Sequence, residues 1–148
     1  MALTIRPLKS EDRTRWEPLW QGYLRFYETR LPDDVTETTW HKLLDPSRSP
    51  HGLVAVDGEK NLIGLVHYIF HQSTWTIPHI CYLQDLFVDP GVRGKGAGRA
   101  LIEAVYEKAD EAGAAQVYWL TQEFNATARA LYDKVATLTP FVRYRRQV

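Results

Sequence analysis

The sequence is poor in the features that mark several protein classes. It holds one cysteine, Cys81, in 148 residues, so no intrachain disulfide can form and a disulfide-stapled scaffold is excluded. No stretch approaches the roughly 18 consecutive apolar residues of a membrane span. Residues 1–7 lack the basic region and apolar core of a signal peptide, so the expectation is a cytoplasmic chain that engages no membrane. Neither sign of charge is in excess, since 18 lysines and arginines balance 18 aspartates and glutamates. Nucleic-acid binding usually draws on a basic surplus, and no nucleic-acid partner is expected. There is no internal repeat, low-complexity tract or linker, and the length fits one domain spanning 1–148.

What is present is a clear alternation of periods. Residues 3–6 alternate as a short strand. Ser10, Glu11 and Asp12 read as a helix start with acidic residues in the first turn. Trp16, Leu19, Trp20, Tyr23, Leu24, Phe26 and Tyr27 then recur at helical spacing, with Pro18 as a local irregularity. A loop at residues 31–34 precedes a second helix over 36–44, ended by Asp45 and Pro46. Residues 53–56 and 62–70 read as strands joined by an Asp57-Gly58-Glu59-Lys60 hairpin. A fourth strand covers 80–88, a helix 97–112 stopped by Gly113, a fifth strand 115–120, a short helix 125–134 and a final strand 141–145. This order predicts an α/β (α+β) fold, one mixed sheet covered by helices.

The strongest local signal is Val92-Arg93-Gly94-Lys95-Gly96-Ala97-Gly98-Arg99, between the fourth strand and a helix. Glycines let backbone N–H groups approach a ligand, and the following helix aims its free N–H groups and positive dipole end at the same point. Arg93, Lys95 and Arg99 add charge, making a cradle for a pyrophosphate. The spacing is neither a Walker A loop nor a dinucleotide fingerprint, because no Gly-Lys-Ser/Thr follows and Arg99 stands where the last glycine would be. A ligand-free strand-to-helix turn also accounts for the glycines.

Arg93-x-x-Gly96-x-Gly98 after Leu86-Phe87-Val88-Asp89-Pro90 resembles the coenzyme A motif of the GNAT acetyltransferase superfamily. The resemblance implies a mostly antiparallel mixed sheet splayed at the fourth strand, with acetyl-CoA as co-substrate and no metal. It implies that the backbone of Phe87 and Val88 contacts pantetheine, and that Arg93, Gly94, Lys95, Gly96, Ala97, Gly98 and Arg99 hold the pyrophosphate.

A second segment, Asn125-Ala126-Thr127-Ala128-Arg129-Ala130-Leu131-Tyr132, is similar to the family's N-x-x-A-x-x-L-Y pattern. Residues 125, 128, 129 and 132 share one helix face. By the resemblance, Asn125 and Ala128 lie against CoA and Tyr132 assists the departing thiolate. Asn125 serves equally as a helix N-cap, and Tyr132 as a half-buried aromatic. Segments 83–88, 117–121 and 139–144 look like the Hpa-type histone and polyamine acetyltransferases. That subgroup implies an amine acceptor (polyamine, amino acid or lysine side chain) and a homodimer with the C-terminal segment at its interface.

The base that takes the amine's proton is less legible. The family often places a glutamate on the fourth strand, where this sequence has Gln84, which cannot act as a base. Asp85 and Glu123 are the candidates, and strand alternation sends residues 84 and 85 to opposite faces. Asp85 reads equally as a structural carboxylate held by hydrogen bonds. A catalytically weak acyl-CoA sensor is the alternative that Gln84 keeps open. The histidines make no metal site, because His67 and His71 sit about 13 Å apart at strand rise. Trp20, Tyr23 and Tyr27 either line an acceptor pocket or pack on the sheet. Asp33, Asp34 and Glu37 read as a solvated loop and helix start, or as a stretch that attracts a cationic amine.

Overall fold

The computed structural model describes residues 2–92 and 94–147. Five strands form one sheet in the order β1-β2-β3-β4-β5: β1 (Thr4–Pro7), β2 (His51–Val56), β3 (Leu62–His71), β4 (Ile80–Val88) and β5 (Val117–Tyr118). The first three pairings are antiparallel and β4–β5 is parallel. The helices are α1 (Arg13–Phe26), α2 (Asp33–Leu43), α3 (Ala97–Ala112) and α4 (Ala126–Val135).

The helices divide the core in two. On one face Trp16, Leu19, Trp20 and Leu24 of α1, with Trp40 and Leu43 of α2, pack on Val54, Leu65 and Phe87. On the other, Ala97, Leu101, Ile102, Val105 and Ala109 of α3 pack on Leu53, Ala55, Val66, Cys81 and Leu83, with Leu131, Tyr132 and Val135 of α4 alongside. Both sheet faces are covered, which is why β2 and β3 read as near-continuous apolar runs. Close packing also explains Gly22: a Cβ there would stand 2.9 Å from the Phe87 ring.

Most predicted elements are present, with three differences. The helix expected at 36–44 begins at Asp33, where Asp33 and Asp34 complement the helix dipole in its first turn. Asp12 is no simple cap. It is buried, accepts two hydrogen bonds from Arg6 at 2.8 and 3.0 Å and one from the Lys9 N–H at 2.8 Å, and so ties β1 to α1. The strands expected at 115–120 and 141–145 shrink, the first to two residues, while residues 136–147 form neither helix nor strand. A strand exists only where a neighbour completes its ladder, and the tail finds none among the described residues.

Candidate active site

The short β5 creates the site. Only Cys81 and Tyr82 of β4 pair with β5, at Val117 and Tyr118. Beyond Tyr82, β4 runs on to Val88 paired with β3 alone. Its other edge has no strand partner among the described residues. This is the splay that the resemblance implied.

A bulge marks the start of the gap. His67 pairs with Asp85 and Tyr68 with Leu83, so Gln84 is the extra residue. Leu83 therefore packs on the α3 side while Asp85 and Phe87 face α1. Gln84 is exposed. The local expectation that 84 and 85 lie on opposite faces gives way to a bulge, in which alternation is broken.

Asp85 sits in a cage of aromatic rings. Its Oδ2 lies 2.9 Å from His67 Nδ1, and the other imidazole nitrogen, Nε2, lies 3.3 Å from the Trp16 indole nitrogen. Along α1, Trp16, Trp20, Tyr23 and Tyr27 form a ladder with ring centroids 5.8, 5.3 and 5.0 Å apart. Its far end reaches Asp85. The Tyr23 phenol is pushed strongly upward by burial and by the Asp85 charge, and Tyr27 is raised by the same two causes. Tyr82 of β4, stacked on Tyr118 at 4.9 Å, is raised chiefly by burial, with Asp85 adding to the rise and Arg143 of the tail opposing it.

Tyr132 approaches from the opposite face. Its ring meets Trp119 edge-on at 5.3 Å, and burial with a smaller contribution from Tyr27 pushes its phenol up to about 12. Tyr132 thus packs with the α3-side core, on the face of the sheet opposite Asp85.

The glycine loop lies at the open end of β4. Gly94 and Gly96 have φ of 87° and 81°, a left-handed backbone, and among the described residues no atom beyond the chain neighbours stands within 4 Å of where a side chain would begin. Gly96 occupies the N-cap of α3, with Ala97, Gly98 and Arg99 in its first turn. The first-turn N–H groups have no partner within the helix. Lys95 is exposed, and Arg99 pairs with Glu103 at 3.3 Å on its own helix. Arg93 lies outside the described residues. The Phe87 ring is buried toward α1, and Val88 packs toward α3.

Asn125 stands at the N-cap of α4, but its side chain makes no capping bond and instead donates from Nδ2 to Thr121 Oγ1 at 3.3 Å. Ala128 is half-buried. Glu123 is exposed; its carbonyl accepts from Arg129 Nη1 at 2.6 Å, and no bond among the described residues joins its carboxylate to Asp85 or Tyr132. Asp85 bonds to His67, Tyr132 packs on Trp119, and the Glu123 carboxylate is exposed. Reasoning from sequence missed His67 as the partner of Asp85 and Trp16 as the partner of His67. The first follows from the cross-strand register that the bulge sets and the second from the docking of α1, and spacing reveals neither.

Comparisons with known proteins agree with this architecture. The Acetyltransferase (GNAT) family model matches residues 15–136. The chain is 39% identical over 145 residues to the D-amino-acid N-acetyltransferase HPA3 of Saccharomyces cerevisiae, covering 97% of this chain and 90% of the yeast protein. It is 30% identical over 89 residues to a thialysine N-epsilon-acetyltransferase of Caenorhabditis elegans, covering 60% of this chain and 54% of that one. The structure of a ribosomal-protein-alanine N-acetyltransferase from Brucella melitensis biovar Abortus 2308 superposes with a TM-score of 0.83 at 25% identity, covering 100% of both chains. A CoA complex of the aminoglycoside N-acetyltransferase AAC(6')-Iy gives 0.84 at 18% identity, over 99% of this chain and 95% of that one, a likeness of fold. The chain belongs to the GNAT acetyltransferase family and is an acyl-CoA-dependent N-acetyltransferase.

Proposed function

We propose that the protein transfers an acetyl group from acetyl-CoA to the primary amine of a small amino acid, with D-amino acids the first candidates. The single observation that carries the reaction is the Asp85 carboxylate on the stretch of β4 whose outer edge has no strand partner among the described residues. The 39% identity to the yeast D-amino-acid enzyme supports the acceptor class.

In this reading residues 1–148 act as one acetyltransferase domain. The pantetheine arm pairs with the backbone of Phe87 and Val88. The pyrophosphate lies on the loop from Arg93 to Arg99 and the first turn of α3, with Asn125 and Ala128 against the cofactor. The amine nitrogen bonds to the acetyl carbon, the C–S bond breaks, and the amine's proton passes to Asp85. Tyr132 acts on the departing sulfur. A phenol at about 12 transfers its proton uphill to a thiolate whose ordinary pKa is about 8.5. Its contribution is therefore a hydrogen bond to the developing charge. Glu123 is set aside as base because it is exposed and unconnected to Asp85. The carboxylate at Asp85 favours an enzyme over the sensor alternative.

The same reading includes a homodimer. Leu138, Phe141, Val142 and Tyr144 of the tail are 72, 78, 79 and 93% exposed, an apolar run that none of the described residues covers. The cytoplasm is the compartment we assign, in keeping with a lone buried thiol.

The test is thiol release from acetyl-CoA across D- and L-amino acids, spermidine, lysine, an aminoglycoside and a histone-tail peptide. Release that depends on amino acids supports the assignment. Release with spermidine or the peptide alone refutes the acceptor class, and tight CoA binding without release from any amine moves the sensor reading to the front.

A further inference from the structure

The His67–Asp85 pair carries more information than proximity. His67 is 2% exposed, and its ring lies 6.1 Å from Trp16 and 5.2 Å from Trp20. The indole N–H of Trp16 can only donate. At 3.3 Å from His67 Nε2, it makes that nitrogen an acceptor. The imidazole proton must then sit on Nδ1, where it donates to Asp85 Oδ2 at 2.9 Å. A second proton, on Nε2, would face the indole N–H head-on, donor against donor. The tautomer is thus set by a fully buried tryptophan, and the pair is a neutral donor on a carboxylate.

The groups facing Asp85 are few. His67 comes from β3, Tyr23 and Tyr27 from α1, and Tyr82 from β4 itself, with Arg143 of the tail near Tyr82. His67 is the only one of these in the core of the sheet, where a ring walled by two indoles cannot turn. A bond from a fixed donor to Oδ2 at 2.9 Å restrains rotation of the carboxylate, with the Tyr23 phenol as the other side chain that hydrogen-bonds Asp85.

We propose that His67 is a positioning residue for acetyl transfer: held by Trp16 in the Nδ1–H tautomer, it keeps the Asp85 carboxylate turned to accept the acceptor's proton. This rests on the reading of Asp85 as the base. Trp16 is the remote member of the chain, and its hydrogen bond rather than its bulk is what the arrangement uses.

The experiment measures kcat against pH at saturating substrates for the full-length protein and for His67→Leu, His67→Asn and Trp16→Phe. A hydrogen bond to a charged group is worth a factor of about ten to a hundred, so His67→Leu lowers kcat by that factor. It also moves the acidic limb of the profile to higher pH, with KM for acetyl-CoA unchanged. His67→Asn, whose amide N–H stands in for Nδ1–H, restores the limb to its original place. Nitrogen NMR of the wild-type imidazole shows the Nδ1–H tautomer through the working pH range, whereas Trp16→Phe frees Nε2 to take a second proton. An unmoved limb in His67→Leu, or an Nε2–H tautomer in the wild type, overturns the proposal. If His67→Leu does not fold, the NMR spectrum and Trp16→Phe decide alone. Full turnover in Asp85→Asn refutes the base reading itself, and is distinguishable because the NMR result then stands without a catalytic consequence.

Discussion

Leu83 and Asp85 are two residues apart on β4 yet point to opposite faces of the sheet, Leu83 into the core under α3 and Asp85 to His67 beneath α1. A regular strand places residues i and i+2 on one face. The extra residue, Gln84, changes this, and it does so where β5 leaves β4. The bulge sends the carboxylate to the α1 side and opens the gap at the same point.

Asp85→Asn keeps an oxygen that can accept the His67 N–H but removes the proton acceptor. The expected loss in kcat is about 10²–10⁴-fold, with CoA affinity by calorimetry within a few-fold of wild type. Loss of CoA affinity in parallel with kcat would mean that Asp85 supports the fold of the gap and not the chemistry.

Tyr132→Phe removes one hydrogen bond to the leaving sulfur and leaves the ring against Trp119. A roughly tenfold to hundredfold fall in kcat is expected. Because burial pushes the phenol up to about 12, it stays protonated far above neutrality. The wild-type kcat profile should then show no falling limb from Tyr132 below pH 10. A limb near pH 9 that vanishes in the phenylalanine variant would contradict this.

Gly96→Ala and Gly22→Ala separate backbone strain from crowding. At Gly96 the φ of 81° is left-handed and the space is open, so the cost is conformational, roughly 1–2 kcal/mol, and CoA binding weakens because the loop shifts. At Gly22 the new methyl would meet the Phe87 ring at 2.9 Å, an overpacking cost of about 1–3 kcal/mol. Chemical denaturation ranks the two variants. Calorimetry with CoA shows whether loss of binding is confined to the loop.

Asp12→Asn tests the tie between β1 and α1. The Arg6 guanidinium, with the Lys9 N–H, holds the Asp12 carboxyl below its usual range. A depressed folded-state value contributes stability that is present above the unfolded value of about 3.9 and disappears as pH falls through the folded one. The variant should lose about 2 kcal/mol at pH 7, and its deficit should close below about pH 4. An equal deficit at pH 7 and pH 3 would exclude the charge as the cause.

The sequence alone determined which segments become helices and strands, because apolar period is a local property. The α3 stripe, the Asp57 hairpin and the glycines at 94 and 96 are legible in that way. The strand expected at 141–145 does not form, since a strand needs a partner and the tail finds none among the described residues. The tertiary structure decided the rest. Which face Asp85 occupies depends on a one-residue bulge against β3. His67 meets Asp85 across 18 residues, and Trp16 meets His67 across 51. Hydrogen bonds of that span follow from register and helix docking, and no local pattern in the chain records them.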